Sequence, residues 1–139
     1  MRLVGALVVL VVAVAAGPAS AEHEVYYRYT VLGYVKDASG RPVADMAVQV
    51  VRDKTGLPYT ARTDAVGLYL VLVRVGDEAL GESLSLDIGG VRHQHTVRFD
   101  VKNQVDERGT RIDLEGSRLI ERPAWFHSTL ARVLAPAAR

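Results

Sequence analysis

The chain has 139 residues, with 17 basic and 16 acidic side chains, no Cys, a single Trp and a hydrophobic fraction of 49%. Near-neutral charge argues against a nucleic-acid partner, which would ask for a basic excess or stripe. The lack of Cys excludes thiol catalysis, disulfide exchange and thiolate-bound metals, so any folded domain must rest on its core.

Residues 1–21 read as a secretory leader. Met1-Arg2 is a short positive start, Leu3 to Ala16 is an apolar run, Gly17-Pro18 breaks it, and Ala19-Ser20-Ala21 offers small residues for cleavage after Ala21. The run is shorter than the roughly 20 residues a membrane-spanning helix needs. Cleavage removes one basic residue, Arg2, so the remaining basic and acidic side chains balance. The expected location is periplasmic or secreted. An exported domain without disulfides is then the size of one small folding unit.

Past the leader, Val25 to Lys36 reads as a long strand with Tyr27, Tyr29, Val31, Gly33 and Val35 on one face. Asp37-Ala38-Ser39-Gly40 is a turn, since Asp and Ser bond nearby backbone and Gly supplies positive φ. Pro42 then fixes φ before a strand in which Met46, Val48 and Val50 point one way. Asp53 to Gly56 is another turn, and Tyr59 to Arg62 is a short polar strand suited to an edge. Asp64-Ala65-Val66-Gly67 turns into the apolar run Gly67 to Val73, which reads as a central strand.

Ser83 to Ile88 alternates cleanly, with Leu84, Leu86 and Ile88 inward, and Gly89-Gly90 marks a hairpin. Val91 to Val101 alternates again, placing Val91, His93, His95, Val97, Phe99 and Val101 on one face. After a charged loop, Thr110 to Leu114 is the last strand. About seven short strands with no helix between them indicate an all-β, antiparallel, Ig-like or transthyretin-like sandwich. The absence of crossover helices argues against parallel pairing. The domain plan is a leader (1–21), a sandwich (22–117) and a tail (118–139) carrying a short amphipathic helix.

That helix is expected over Ala124 to Leu134. Pro123 suits its first turn, and Trp125, Phe126, Leu130, Val133 and Leu134 recur at spacings of three and four. This stripe packs on its own sandwich, docks on a partner protein, or lies on a membrane surface.

The pattern Gly33-x-Val35-x-Asp37-x-x-Gly40-x-Pro42-Val43, then Val48-x-Val50, then Thr63-Asp64-x-x-Gly67-x-Tyr69, resembles the carboxypeptidase regulatory-like domain. The resemblance implies a transthyretin-like sandwich and an accessory role in folding, docking or binding, with no active site. Asp37, Gly40, Pro42, Thr63, Asp64, Gly67 and Tyr69 would be its structural motif. A related group hydrolyses 5-hydroxyisourate and carries a Tyr-Arg-Gly-Ser tetrapeptide, which this sequence lacks.

Among candidate chemical groups, His93 and His95 stand at i and i+2 on a strand, about 6–7 Å apart on one face. They suit Cu²⁺, Ni²⁺ or Zn²⁺, with His23 or His127 as a third ligand. The competing reading places them at the open end of the core face. Tyr26, Tyr27, Tyr29 and Tyr34 suit either core or a recognition surface. Glu121, His127 and Ser128 lack a nucleophile-elbow context, and adjacent helical side chains diverge. The expectation is therefore a non-enzymatic, exported binding or assembly module needing no cofactor. Its partner would be another envelope or secreted protein or a glycan. Edge strands make a homodimer an option. The alternative is a periplasmic metal-binding protein using His93 and His95.

Overall fold

A computed structural model describes residues 25–135; the expected leader, its cleavage site and His23 lie outside the described residues. A single 3₁₀ turn, Val25–Tyr27, leads into β1 (Tyr29–Lys36). There follow β2 (Ala47–Arg52), β3 (Leu57–Arg62), β4 (Leu68–Val73), β5 (Ser83–Ile88), β6 (Val91–Thr96), β7 (Gly109–Glu115) and β8 (Arg118–Glu121). A 3₁₀ turn, Pro123–Trp125, then starts the helix α1 (Phe126–Leu134). The strands form two four-stranded sheets, in the orders β4-β1-β7-β8 and β3-β2-β5-β6. The expected sandwich with a short C-terminal helix is what the chain forms.

Alternation decides which side chains meet inside. Val31 and Val35 from β1, Val48 and Val50 from β2, Tyr69, Val71 and Val73 from β4, and Leu84, Leu86 and Ile88 from β5 make one buried core. Ile112 and Leu114 join it from β7. The Gly89-Gly90 hairpin forms as expected, with both residues at positive φ.

Three features differ from expectation. There are eight strands, because Arg118–Glu121 folds back on β7 through Gly116 and carries the sandwich past residue 117. Four residues with charged ends give no clear alternation, so the strand is legible only through its partner. β1 and β7 pair in parallel, Thr30 with Gly109 and Val35 with Leu114. A parallel pair needs a long connection, and here intervening strands supply it in place of a helix. Finally, β4 is an edge strand, not a central one. Its second apolar face is accounted for by the helix: Leu70 packs with Leu32 and with Phe126 and Leu130 of α1. Leu70 thus sits outside the core that holds Val31, Val48 and Leu86, while Leu72 at the rim is 45% exposed.

The two Asp-to-Gly turns are built alike. Asp37 Oδ1 accepts hydrogen bonds from the N–H groups of Ser39 (2.9 Å) and Arg41 (3.0 Å) and from the Ser39 hydroxyl (2.6 Å). Asp64 Oδ1 accepts from the N–H groups of Val66 and Leu68, both at 2.9 Å. Gly67 is at φ 81°, and a Cβ there would come within 2.5 Å of the Val35 carbonyl oxygen, so only Gly fits. Thr63 is buried between the strands; its hydroxyl donates to the Val43 carbonyl (2.7 Å) and accepts from the Met46 N–H (2.8 Å).

Gly33 marks a gap in the β1–β7 ladder, where neither Gly33 nor Tyr34 has a partner on β7. A Cβ on Gly33 would lie 1.9 Å from the Ile112 carbonyl oxygen. Two side chains repair the gap. The Tyr69 hydroxyl, reaching across from the residue paired with Gly33, donates to the Ile112 carbonyl at 2.5 Å. The Asp113 carboxylate accepts from the Tyr34 N–H at 2.9 Å. Buried backbone groups rarely stay unpaired, and here a phenol and a carboxylate stand in for the missing ladder bonds.

Candidate functional site

Two polar clusters lie on opposite faces of the β4-β1-β7-β8 sheet. The inner one joins the two sheets where the edges of β6 and β8 approach. His95 from β6 is buried, its Nε2 2.6 Å from the Tyr29 hydroxyl of β1 and its Nδ1 against Glu121 Oε1 of β8. A neutral imidazole satisfies both contacts when Nδ1–H donates to the carboxylate and Nε2 accepts from the phenol. Burial pulls the His95 pKa down, the hydrogen bond to the Glu121 carboxylate offsets this in part, and the neighbouring His93 and the charge of Arg98 add to the lowering. Burial likewise pushes the Tyr29 phenol well above its ordinary value.

This geometry departs from the metal pair expected of His93 and His95. His93 Nε2 is buried without a hydrogen-bond partner, 3.6 Å from the same Glu121 oxygen. Both ring nitrogens of His95, however, are already taken by Tyr29 and Glu121. Among the described residues, no group of three or more His, Asp or Glu is arranged to hold a metal ion. His127 is elsewhere, its Nε2 hydrogen-bonded to the Glu107 carbonyl at 2.8 Å. Tyr29, His95 and Glu121 act as a polar strut between the sheets.

The strut makes stability pH-dependent with a definite sign. The folded-state pKa of His95 lies below the unfolded value of about 6.5, so on acidification the unfolded chain takes up its proton first. The stabilisation is complete above about pH 6.5 and falls as the pH drops from there toward the folded-state pKa. Urea midpoints measured between neutral and mildly acidic pH should fall, and His95→Gln should flatten that slope. An unchanged slope in the variant would contradict this assignment.

The outer cluster centres on Asp113, whose side chain is 3% exposed on the outward face of β7. Arg111 reaches its carboxylate through Nε (3.0 Å) and Nη2 (2.9 Å), and Arg122, just past β8, through Nη1. Burial opposes the charged form of Asp113, but these guanidinium bonds and the Tyr34 N–H together hold its pKa below the usual carboxylate value. Arg122 Nη2 also pairs with Glu115 at 2.9 Å, and Arg111 Nη1 donates to the Thr129 hydroxyl of α1 at 3.0 Å.

Fixed in this way, the guanidinium groups interleave with aromatic rings. Arg111 lies 5.0 Å from the Tyr34 ring centroid and 5.3 Å from that of Trp125; Arg122 lies 5.2 Å from Trp125. Arg132 of α1 extends the series, 5.8 Å from the Tyr34 ring and donating to its hydroxyl at 3.1 Å. The sequence Arg132, Tyr34, Arg111, Trp125, Arg122 is a cation–π ladder across the outer face. Beside it is a recess of about 160 Å³ that also touches Lys36 and Glu115.

The ladder divides the apolar stripe expected of the tail. Phe126 and Leu130 are buried against the sheet, and Val133 is half-buried. Trp125 is 52% exposed in the ladder and Leu134 67% exposed at the helix end. The Tyr set also separates: Tyr29 is inside, Tyr34 is in the ladder, and Tyr26 and Tyr27 pack on each other in the first 3₁₀ turn. Glu121, His127 and Ser128 are not brought together. Glu121 faces inward toward His95, while the Ser128 hydroxyl donates to the Trp125 carbonyl. Arg111 and Asp113 are the members that sequence reasoning missed; an Arg-x-Asp pair on one strand face was the available signal.

No helix among the described residues is long and apolar enough to cross a membrane. No family model matches the chain, the carboxypeptidase regulatory-like family included, and no curated protein matches it. A solved chain described as "Type VI membrane complex" aligns at 13% identity with a TM-score of 0.45, covering 70% of this chain and 98% of that one. A likeness that distant carries no inference about role.

Proposed function

We propose that this chain is an exported, non-enzymatic binding or assembly module of the cell envelope. The observation that carries this reading is the Arg–aromatic ladder with Trp125 half open to solvent. Trp, Tyr and Arg are the residues most enriched where protein surfaces bind with high energy per residue. The ladder is held rigid by Asp113 and by α1, so little side-chain freedom remains to be lost on binding. The leader-like segment 1–21 supports export, and the exposed edge strands offer a second route to a partner or to a homodimer. The inner His95 strut has the geometry of a structural joint.

Placing a photo-crosslinking amino acid at exposed Ser128 or Arg118, on the ladder side, should give adducts of defined mass in cells. The same amino acid at Thr60, on the opposite sheet, should not. Adducts from Thr60 alone, or from neither side, would contradict the reading.

A further inference from the structure

We propose that the recess beside Trp125 is a carboxylate receptor that takes an acidic side chain from a peptide segment of the partner. The inference rests on the binding-module reading and names the chemistry that the surface selects. The ladder and recess bring together Lys36, Arg111, Arg122 and Arg132 against two carboxylates, Asp113 and Glu115, in a chain that is otherwise balanced in charge. Asp113 is consumed internally: both its oxygens are filled by Arg111, Arg122 and the Tyr34 N–H. Its role is to hold two guanidinium planes in place beneath the recess.

Donors remain for a ligand. Each terminal nitrogen of Arg111 carries two hydrogens, and Asp113 and Thr129 take one from each, leaving one apiece. Lys36 lines the recess and makes no ion pair among the described residues. Glu115, exposed at the rim, already occupies Arg122 Nη2 at 2.9 Å. It shows the geometry in which an incoming carboxylate would bind, and it competes for the same group. A guanidinium fork is well matched to a carboxylate in just this way.

The size of the recess favours a peptide over a membrane surface. A volume of about 160 Å³ admits one short acidic side chain. Insertion into a bilayer would need an indole free to leave the protein surface, and guanidinium groups lie within 5.3 Å of the Trp125 ring from both Arg111 and Arg122.

Trp125 is the single Trp of the sequence, so its fluorescence reports the site directly. The full-length exported protein should be titrated with a short oligoglutamate peptide, with oligolysine as control, and with phosphatidylglycerol vesicles. A saturable change with oligoglutamate is expected. Lys36→Gln should weaken it by about tenfold, the order of one lost charge contact, and Glu115→Gln should tighten it by removing the competitor. Both positions are exposed, so unchanged unfolding midpoints in these variants separate binding from folding. A response to vesicles alone, or an oligoglutamate response that neither substitution alters, would overturn the proposal. If oligoglutamate fails while ladder-side crosslinks persist, the carboxylate chemistry is wrong and the module reading stands.

Discussion

Asp113→Ala is expected to cost about 3–5 kcal/mol of folding stability, the range found when one member of a buried ion pair is removed. Three losses coincide. Arg111 loses its counter-charge and Arg122 one of its two on a half-buried face, the Tyr34 N–H loses its carboxylate acceptor at the β1–β7 gap, and the ladder loses its anchor. Chemical denaturation at neutral pH measures the difference. The pH dependence has a definite sign. Because the folded-state pKa of Asp113 is lowered, its stabilisation is complete above the unfolded value of about 3.9 and is lost as the pH falls through the folded value. Wild type and variant should therefore converge only in strong acid. A variant within about 1 kcal/mol of wild type at neutral pH would show that the cluster is an ordinary surface ion pair.

Phe126→Ala should also cost about 3–5 kcal/mol, as large-to-small aromatic changes do in cores. Phe126 is 1% exposed and packs with Leu32, Leu70 and Leu130 in a small core separate from the main one. Gly109 lies directly beneath it: a Cβ there would approach within 2.6 Å of the Phe126 ring, so β7 is kept bare to receive it. The loss should appear as undocking of α1 while the sandwich persists. Helical circular dichroism would fall and Trp125 emission would shift, before the main unfolding transition. A variant that keeps its helix signal and its Trp125 emission would refute the packing assigned to α1.

Much of the fold was legible because its signals are local. The Asp37 and Asp64 turns, the Gly89-Gly90 hairpin and the alternation of Ser83–Ile88 each depend on residues within a few positions. What was not legible depends on partners distant in sequence. The apolar run of β4 reads as central because both its faces are apolar, yet one of them is covered by a helix that begins more than fifty residues later. β8 is too short to alternate, and without it the pairing of Arg122 with Asp113 has no basis.

The candidate site shows the same division. His93 and His95 fall on one inward face, as their spacing requires, but their partners Tyr29 and Glu121 come from β1 and β8. The cross-sheet contacts take up His95 as a strut. In the tail, the spacing of Trp125, Phe126 and Leu130 suggests one stripe. The 3₁₀ turn at Pro123–Trp125 rotates the indole away from the two residues that bury, and leaves it among the arginines. The candidate surface thus arises where the helical repeat is broken.

Trp125 stands open to solvent in a cationic setting, on the outer face of a sheet. Comparing quenching of its fluorescence by iodide and by caesium tests this most directly. Iodide, drawn in by Arg111, Arg122 and Lys36, should quench it readily and caesium markedly less, with the difference shrinking at high salt. A blue-shifted emission that neither ion quenches, or equal quenching by both, would contradict it.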